Sequence, residues 1–442
     1  MNFKPSKYNV SFYDKGKLVL VNLLTKAIAE VENKNEEIVK EIIKNPDKSF
    51  KLKYPELFEN LKYGGYIVPS EFDEIQHLKI LNSIERFDRS VANVTIMPTM
   101  QCNFDCIYCY EKKEGPVMGP STVDTVIMFL KKMVRDKKIV NLGWFGGEPL
   151  VAFDLIRYIN STISKYASSQ NTKFNSFITT NGYLLTEEKI NEVEKLNIRS
   201  FQITLDGPPE YHNRYRYLKG GGSTFDRIYS NLKLLFGNTE HTTVKIRVNV
   251  GPDNYNSIDK LLDLLSPFPK DRFLVYFRWI FQGSATNFSF HNEVRAFQGT
   301  PKEKFIKLSN LYYKAIERGF DVMLPILSGN FYCEYDRINS VLIGPEGNLY
   351  LCTVAVNKDE KSGRITPDGP VYNSMLFDKW HSFSAFNDEQ CLKCPLLPLC
   401  MGGCRNARMK GISRGCPEEL GYIEEFTRLW YRVEKAKRRA KV

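Results

Sequence analysis

The stretch Cys102-Asn-Phe-Asp-Cys106-Ile-Tyr-Cys109 decides the fold, because it places three cysteines at the spacing CxxxCxxC. A cubane iron–sulfur cluster held by cysteine thiolates ordinarily uses four of them, so a set of three leaves one iron open. The amino acid end of S-adenosylmethionine can chelate such an iron, and an electron from the cluster can then split the sulfonium into a carbon radical. The alternatives are a zinc knuckle or buried thiols. Zinc takes four ligands, however, and no histidine lies between His77 and His212.

The same spacing, with the aromatic residue Tyr108 before the last cysteine, resembles the radical SAM superfamily. The resemblance implies that Cys102, Cys106 and Cys109 hold a [4Fe-4S] cluster and form the catalytic centre, with S-adenosylmethionine as the cofactor. It also implies an oxidoreductase in which the cofactor carries the radical chemistry and the protein directs it.

The composition is that of a globular protein. Its 442 residues, 43% of them hydrophobic, are enough for two or three domains with sizeable cores. The start, Met-Asn-Phe-Lys-Pro, lacks the segments of a signal peptide, and apolar runs such as Leu18–Leu24 are too short to span a bilayer. We therefore expect a cytoplasmic protein without a membrane partner. Ten cysteines in that compartment indicate metal ligands or catalytic groups rather than disulfides.

The central part of the chain, residues 91–285, alternates strand-like and helix-like segments. Strands are expected at Asn93–Met97, Val140–Trp144, Phe174–Thr179, Ser200–Leu205, Thr243–Val250 and Phe273–Phe281. Helices are expected at Ser121–Arg135, Phe153–Ser168, Glu187–Leu196, Phe225–Leu235 and Ser257–Leu265. The alternation predicts an α/β fold with a parallel sheet, curved into a partial (β/α)6 radical SAM barrel.

The motifs fall where these strands end, and active sites of such barrels lie at the C-terminal ends of the strands. In chain order the motifs are Cys102–Cys109, Gly146-Gly147-Glu148-Pro149, Thr179-Thr180-Asn181-Gly182, Asp206-Gly207, and Arg247 with Asn249. We expect all five groups to share one rim. This expectation does not depend on the cysteine spacing.

Resemblance to radical SAM enzymes assigns cofactor-binding roles to the same residues. It implies that the backbone of Gly146, Gly147 and Pro149 binds the amino group of S-adenosylmethionine, in a loop shaped by Glu148. It places Thr180 and Asn181 at the ribose and Arg247 at the carboxylate, whose two oxygens a guanidinium matches. Tyr108 and Asp206 complete the predicted cofactor site. The plainer alternatives are a turn at the glycines, a helix N-cap at Thr180, an internal ion pair at Arg247 and a turn at Asp206.

Residues 1–90 form a separate N-terminal module. Short β-like runs at Tyr8–Tyr13, Lys17–Asn22 and Ala27–Val31 precede helical patterns at Glu36–Lys44, Pro55–Tyr63 and Ser70–Phe87. This order, and the phrase Leu61-Lys-Tyr-Gly-Gly-Tyr-Ile-Val-Pro69, resemble the PqqD-like, winged-helix leader-peptide recognition element. The resemblance implies that a leader peptide adds a strand to the small sheet and packs on the last helix. Alternatively, the module is a cap that only docks on the catalytic domain.

The remaining seven cysteines lie in residues 326–442, after a bridging helical region at 286–325. Cys333, Cys352, Cys391, Cys394, Cys400, Cys404 and Cys416, with Gly347, resemble the SPASM domain in spacing. The resemblance implies two auxiliary [4Fe-4S] clusters, one on Cys333, Cys352 and Cys404 and the other on Cys391, Cys394, Cys400 and Cys416. A zinc ribbon on the last CxxC region would leave three cysteines unexplained.

The auxiliary thiols number seven, where two fully ligated cubanes need eight. Ser328–Tyr332, where some relatives supply the eighth, contains no cysteine. The first auxiliary cluster is therefore expected to have an open iron, which could bind a substrate thiolate. The alternative is that a non-cysteine side chain or water completes that site.

The expected function is a radical SAM/SPASM peptide maturase. Its partners would be a precursor peptide, with leader and core, and an electron donor such as flavodoxin or ferredoxin. The expected product is a thioether crosslink between a cysteine sulfur and a carbon. Carbon–carbon crosslinking or another side-chain oxidation is the main alternative. Formylglycine formation in sulfatases fits less well, because Thr353 stands where those relatives place an aspartate. A scaffold or electron carrier without catalysis is the alternative from another class.

The net charge of +11 also bears on the partner. Part of this charge is concentrated at the end of the predicted last helix, which we expect to be solvated. The basic residues there are Lys435, Lys437, Arg438, Arg439 and Lys441. Such an end could steer an acidic peptide or RNA. A tRNA-modifying enzyme would suit this charge, but residues 1–90 resemble a peptide reader more than an RNA-binding domain, so nucleic acid is not the expected partner.

Overall fold

The computed structural model describes residues 2–280, 299–327, 333–417 and 421–439. Three sequence predictions before residue 333 lie partly or wholly outside these ranges. They are the end of the sixth barrel strand at Phe281, the first part of the bridging region, and the cysteine-free segment 328–332.

The N-terminal module contains three strands in one sheet, as the sequence predicts, and a pair of strands that it does not. Strands β2 (Asn9–Asp14), β3 (Lys17–Asn22) and β4 (Ile28–Glu30) form an antiparallel sheet in that order. Asp14 pairs with Lys17, and the two residues between them have positive φ, which is the two-residue hairpin turn suited to the strand twist. Strands β1 (Phe3–Pro5) and β5 (Ile67–Pro69) pair separately.

Four helices accompany these strands: α1 (Glu36–Lys44), α2 (Lys48–Lys53), α3 (Pro55–Tyr63) and α4 (Glu74–Phe87). Helix α4 begins four residues later than the predicted Ser70, because Asp73 is its N-cap and accepts hydrogen bonds from the amides of Ile75 and Gln76. The order of strands followed by helices agrees with the sequence expectation, whereas a winged-helix relationship stays a prediction.

Helix α4 has an unusual distribution of polar and apolar residues. Its buried positions are Glu74, Leu78, Asn82 and Arg86, of which three are polar. Its exposed face carries Ile80, Ile84 and Phe87, which are 49%, 61% and 48% exposed and lie at the i, i+4, i+7 spacing of one helix face. We call these three residues the α4 stripe. A surface helix ordinarily has the opposite arrangement.

The central domain is an α/β unit with a parallel sheet, which confirms the predicted fold class for this part of the chain. Its strands are β6 (Val91–Ile96), β7 (Ile139–Trp144), β8 (Lys173–Thr180), β9 (Ile198–Thr204), β10 (Thr243–Val250) and β11 (Phe273–Trp279). Its helices are α5 (Pro120–Asp136), α6 (Phe153–Ser169), α7 (Glu187–Val193), α8 (Pro209–Tyr215), α9 (Phe225–Asn238) and α10 (Ile258–Leu265). Adjacent strands are neighbours in chain order, and all their pairings are parallel.

The sheet continues beyond these six strands on both sides. The remaining strands are β12 (Asp321–Val322), β13 (Ser340–Ile343), β14 (Asn348–Tyr350), β15 (Gly363–Thr366) and β16 (Gly369–Tyr372). Strand β12 pairs with β11, while β13 lies parallel to β6 with Ser340 opposite Asn93 and Ile343 opposite Ile96. One sheet of 11 strands therefore crosses the predicted boundaries at residues 285 and 325.

The remaining helices are α11 (Pro301–Glu317), α12 (Ser374–Ser382), α13 (Glu389–Lys393), α14 (Leu397–Cys400), α15 (Arg405–Met409) and α16 (Ile423–Arg439). Within the described residues, none of the helices is long and apolar enough to cross a membrane.

The basic side chains at the end of α16 are exposed or half-exposed, and two of them form surface ion pairs that the sequence does not indicate. Lys435 forms an ion pair with Glu30 at 2.6 Å, and Lys437 lies 3.6 Å from Asp321. Arg432 also donates to Asp14, with 2.9 Å between Nε and Oδ1. Basic residues of this helix thus join it to the N-terminal sheet and to β12. The side chain of Arg439 and residue Lys441 lie outside the described part.

Candidate functional site

The five predicted motif groups lie at or just beyond the C-terminal ends of consecutive parallel strands. The cysteine loop follows β6, the Gly-Gly-Glu-Pro loop follows β7, and Asn181 follows β8. Asp206 follows β9, and Arg247 and Asn249 lie on β10. Parallel strands in register bring these ends to the same edge of the sheet, which is where barrels of this kind hold their ligands.

The cysteine loop is held by backbone hydrogen bonds with the segment of residues 215–219. The backbone amides of Asp105 and Ile107 donate to the carbonyl oxygens of Tyr217 and Tyr215, at 2.9 and 3.1 Å. The amide of Lys219 donates to the carbonyl of Asn103 at 2.8 Å. Residues 215–219 thereby form a β-like brace along the loop, which fixes the path of the chain between the three thiols.

Gly146 and Gly147 allow the second loop to lie directly against the first. A Cβ atom on Gly147 would be 2.3 Å from the carbonyl oxygen of Met100 and 2.4 Å from that of Gln101. At Gly146, which has a φ of +104°, a Cβ would be 2.6 Å from the carbonyl oxygen of Thr99. The glycines are therefore required for backbone packing beside the cysteines, in addition to the cofactor contact implied by the family resemblance.

Glu148 connects the second and third strand ends, as the prediction of a loop-shaping residue requires. Its carboxylate is fully buried and accepts hydrogen bonds from Thr180 Oγ1 and the Asn181 amide, both at 2.7 Å, and from the Leu150 amide at 3.0 Å. Burial raises the pKa of this carboxyl, while the three hydrogen bonds oppose that shift. The hydroxyl of Thr180, which the family resemblance places at the ribose, therefore donates its hydrogen bond to Glu148.

Asn181 lies beside the first cysteine. Its Nδ2 donates to Asn103 Oδ1 at 2.8 Å and is 4.0 Å from the Cys102 sulfur, while its Oδ1 accepts from the amide of Tyr183 at 2.9 Å. The amide side chain thus joins the third strand end to the cysteine loop.

Asp206 is more than the turn former of the plainer prediction, because it is fully buried in a polar network. It accepts hydrogen bonds from the hydroxyl of Tyr108 and from the amide of Asn249, the latter at 2.8 Å. Arg216 donates to the Tyr108 hydroxyl at 2.9 Å and also lies over the ring of Phe104, at 5.8 Å from its centroid. This network lies directly behind the cysteine loop.

The predicted carboxylate partner, Arg247, is half-buried on β10, and its Nε donates to Asn249 Oδ1 at 2.8 Å. Asn249 Nδ2 in turn donates to the Tyr108 hydroxyl at 3.2 Å. The structure thus joins Arg247 to the network of Asp206, and Arg247 remains a predicted ligand of the cofactor.

Thiols that the sequence assigns to one set lie close enough to raise one another's pKa. Burial raises the pKa of Cys102 to about 12, and the charges of Cys106 and Cys109 act in the same direction. Cys333 is likewise affected by Cys352 and Cys404. Cys400 is affected by Cys394, Cys416 and Cys391. Like charges interact over short distances, so members of each set are neighbours in space.

The donor sets consist of free cysteine thiols, which are the ligands that iron–sulfur clusters use. Among the described residues, no three His, Cys, Asp or Glu side chains are arranged around a point that could hold a single metal ion. In a cubane, each thiolate binds a different iron, so its cysteines stand further apart than ligands of one ion. The three clusters and their ligands stay a prediction.

Sequence reasoning missed three polar residues of these sites. Arg216 lies 108 residues from its partner Tyr108. Arg86 and Arg405 lie near the Cys333 set, where both are buried and Arg405 forms an ion pair with Asp336. The sequence offered one signal, the position of Arg405 directly after Cys404. The contact between Arg86 and Asp336 joins residues 250 positions apart, which local sequence does not reveal.

Comparison with known proteins shows what the residues of this site are similar to. Residues 96–265 match the model of the radical SAM superfamily. The chain is 26% identical over 367 residues to a cysteine-type anaerobic sulfatase-maturating enzyme of Clostridium novyi. The alignment covers 76% of this chain and 94% of that enzyme. It is 21% identical over 399 residues to the radical SAM cyclopropyl synthase TigE of Paramaledivibacter caminithermalis, covering 78% of this chain and 75% of TigE.

Solved structures share the fold. The native sulfatase-maturating enzyme anSMEcpe with bound AdoMet has a TM-score of 0.62 at 21% identity and covers 78% of this chain and 99% of its own. SuiB of Streptococcus suis, bound to its precursor peptide SuiA, has a TM-score of 0.55 at 17% identity. The match covers 93% of this chain and 98% of SuiB. Residues 96–265 are thus a radical SAM domain, and the chain is an enzyme.

Proposed function

We propose that this enzyme is a radical SAM maturase that binds the leader of a ribosomally made precursor peptide and installs thioether crosslinks in its core. The observation that carries the proposal is the convergence of the thiols of Cys102, Cys106 and Cys109 with the Gly146-Gly147 loop and Asn181 at one rim of the sheet. When bound, S-adenosylmethionine and three [4Fe-4S] clusters would supply a carbon radical and take up the electron released as the bond forms.

The protein's own residues would hold and orient the cofactor. Cys102, Cys106 and Cys109 would bind the first cluster, in a loop held by residues 215–219. Gly146 and Gly147 would offer backbone groups to the amino acid end, and Arg247 its guanidinium to the carboxylate. Glu148 keeps the second and third strand ends at a fixed separation.

The thioether assignment depends on the count of auxiliary thiols. The set of Cys391, Cys394, Cys400 and Cys416 has four members, whereas the set of Cys333, Cys352 and Cys404 has three. A cubane on three thiolates would keep one position for a substrate cysteine, which metals bind in its deprotonated form. Proximity of the two reactants would then favour sulfur-to-carbon bond formation.

A second candidate is oxidation of one peptide side chain without a crosslink. It is favoured by the similarity to the sulfatase-maturating enzyme, which this chain matches over 94% of that protein's length. Fold similarity to SuiB, bound to its precursor peptide, extends over 93% of this chain, compared with 78% for anSMEcpe. The larger shared fold supports the proposal of a precursor peptide as substrate. Carbon–carbon crosslinking is the third possible outcome.

We place the leader on the α4 stripe. Ile80, Ile84 and Phe87 are exposed on the last helix of the N-terminal module, while the buried face of the same helix is largely polar. An amphipathic or extended peptide would pack its apolar side chains against these three residues, as peptides do on apolar grooves of their partners. Addition of a strand to the β2-β3-β4 sheet stays a further part of this prediction.

The catalytic proposal is tested by reductive cleavage of the cofactor. Protein reconstituted anaerobically with iron and sulfide, then incubated with dithionite and S-adenosylmethionine, should form 5′-deoxyadenosine. Replacing Cys102, Cys106 and Cys109 by alanine should abolish this product. A wild-type protein that loads iron but forms none would overturn the radical assignment.

Iron content tests the three clusters separately. About twelve irons per chain are expected for three cubanes, and about four for the first cluster alone. The Cys391→Ala and Cys394→Ala double variant should lose about a third of the iron. Loss of all iron from that variant would show that the sets do not bind independently.

The reaction is identified by mass spectrometry of the precursor peptide encoded beside this protein, after incubation with the active enzyme. A loss of two hydrogens per bond with fewer alkylatable thiols indicates a thioether. The same loss with all thiols retained indicates a carbon–carbon bond or oxidation of one side chain, and replacement of sulfur by oxygen indicates formylglycine made from cysteine. Either of the last two results rejects the thioether assignment.

Leader binding is tested by a single substitution, since removal of residues 1–90 would take Tyr8, Phe12 and Leu78 out of the main hydrophobic core and uncover the residues that they pack against. Ile84→Glu should weaken the affinity for a fluorescently labelled leader at least tenfold, because burial of an isoleucine contributes about 1.5–3 kcal/mol. Leu52→Glu, at an 86% exposed apolar residue of α2, is the matched control and should change nothing. Equal affinities for both variants would reject the α4 stripe as the leader site.

A further inference from the structure

The C-terminal end of α4 is bonded to the segment that follows Cys333. The amide of Ile338 donates to the carbonyl of Arg86 at 2.9 Å, and Asn339 Nδ2 donates to the carbonyl of Asp88, also at 2.9 Å. Arg337 lies 3.4 Å from the Asp88 carboxylate. The helix of the N-terminal module and the loop of the first auxiliary thiol are therefore held together by direct bonds.

A buried group of charges lies at this junction. Arg86, Asp336 and Arg405 are 5%, 1% and 4% exposed. Arg405 forms an ion pair with Asp336, while Arg86 donates to the carbonyl oxygens of His381 at 2.7 Å and of Asp336 at 3.4 Å. Arg405 takes the carboxylate of Asp336 and Arg86 donates to carbonyl oxygens, so two guanidinium groups and one carboxylate lie together and one buried positive charge is in surplus.

A surplus buried charge is costly unless an opposite charge lies near it. The flanking residues show which anion is available. Asp336 donates its amide to the carbonyl of Cys333 at 2.9 Å, and Arg405 directly follows Cys404. A cubane held by Cys333, Cys352 and Cys404 would be a net anion, because three thiolates outweigh a core of about +2.

We propose that Arg86 is a positioning residue of the first auxiliary cluster, which it stabilises as a charge partner from the N-terminal module. The auxiliary site is then shared by two parts of the chain that lie 250 residues apart. The proposal rests on the proposed function only for the presence of a cluster at Cys333, Cys352 and Cys404.

The consequence concerns the reduction potential of that cluster. Net charge and hydrogen bonding set the potentials of iron–sulfur clusters. A nearby positive charge favours the reduced, more negative form, so its removal shifts the potential to more negative values. Arg86→Gln keeps hydrogen-bond donors and removes the charge, whereas Arg86→Lys keeps the charge.

The experiment is a redox titration followed by electron paramagnetic resonance. It uses the full chain with Cys102, Cys106 and Cys109 replaced by alanine, so that only the auxiliary clusters contribute. In R86Q, one of the two reduction potentials should become more negative by at least about 59 mV. For a one-electron couple, this shift is a tenfold change in the ratio of reduced to oxidised cluster. R86K should stay close to the parent. The second cluster serves as the internal reference.

Arg428→Met is the matched control, since Arg428 also joins two parts of the chain, donating from α16 to the carbonyl of Tyr13. It should leave both potentials unchanged. Unchanged potentials in R86Q, or equal shifts in R86Q and R428M, would overturn the proposal. About four irons in the wild-type chain would also overturn it, whereas formation of 5′-deoxyadenosine would still test the radical activity independently.

Discussion

Glu148 offers the sharpest test of how the rim is built. The perturbation is Glu148→Gln, which keeps the size and shape of the side chain and replaces one acceptor oxygen by an NH2 group. The carboxylate accepts from three donors: the Thr180 hydroxyl, the Asn181 amide and the Leu150 amide. The hydroxyl can rotate to accept a hydrogen bond, but the two backbone amides can only donate.

The magnitude follows from these contacts. Whichever oxygen is replaced, one backbone N–H faces an NH2 group in a fully buried site. An unsatisfied buried donor costs about 1–3 kcal/mol, so we expect that loss in the free energy of unfolding if Thr180 accepts from the new NH2 group, and about 2–6 kcal/mol if that group also lacks a partner. Thr180→Val removes the hydrogen bond that the hydroxyl donates to Glu148 and the one that it accepts from the backbone amide of Gly182 at 3.0 Å, and should cost about 1–3 kcal/mol.

The assay is urea denaturation of the cluster-free protein, followed by S-adenosylmethionine binding to the reconstituted one. Glu188→Gln, at a side chain that is 79% exposed, is the control and should stay within about 0.5 kcal/mol. A Glu148→Gln protein with wild-type stability would refute the reasoning, because it would show that the two amides find other acceptors.

Three further predictions concern neighbouring residues. Gly147→Ala should prevent cluster loading, because its Cβ would overlap the Met100 and Gln101 carbonyls, while Gly237→Ala, with open space, should load normally. Arg216→Met should lower the free energy of unfolding by about 3–5 kcal/mol by breaking a buried charge network, whereas the exposed Arg214→Met should not; equal stabilities would contradict this. Burial lowers the pKa of His381 to about 4, so the unfolded chain binds more protons below pH 6.5 and stability falls from there to pH 4. His381→Phe should reduce that slope in urea midpoints, and an unchanged slope would exclude the assigned pKa.

The strands and helices of the barrel were predictable because their apolar periods are strong. The predicted and observed ends of β10, Thr243–Val250, are the same, and the ends of β7 differ by a single residue. The shared rim followed from the topology of parallel strands alone. These features need only local sequence and one rule about strand ends.

The partners of the buried charges were not predictable, because they depend on tertiary contacts. Arg216 was one of several basic residues after Asp206, and only the fold shows that it reaches Tyr108. The ion pair of Lys435 at the end of α16 was not indicated, because its acidic partner, Glu30, lies 405 residues away. The same holds for the glycines, whose neighbours are backbone atoms of another loop.

The parallel pairing of β13 with β6 has a consequence for substrate choice. The Cys102 loop leaves the end of β6, while the Cys333 turn precedes β13 and Cys352 follows β14. A single hydrogen-bonded ladder therefore sets the span between the Cys102 loop and the Cys333 turn. Under the proposed function, that span would fix the distance between the radical source and the auxiliary site, and the precursor peptide would have to bring the two positions to be joined to that separation by its own folding.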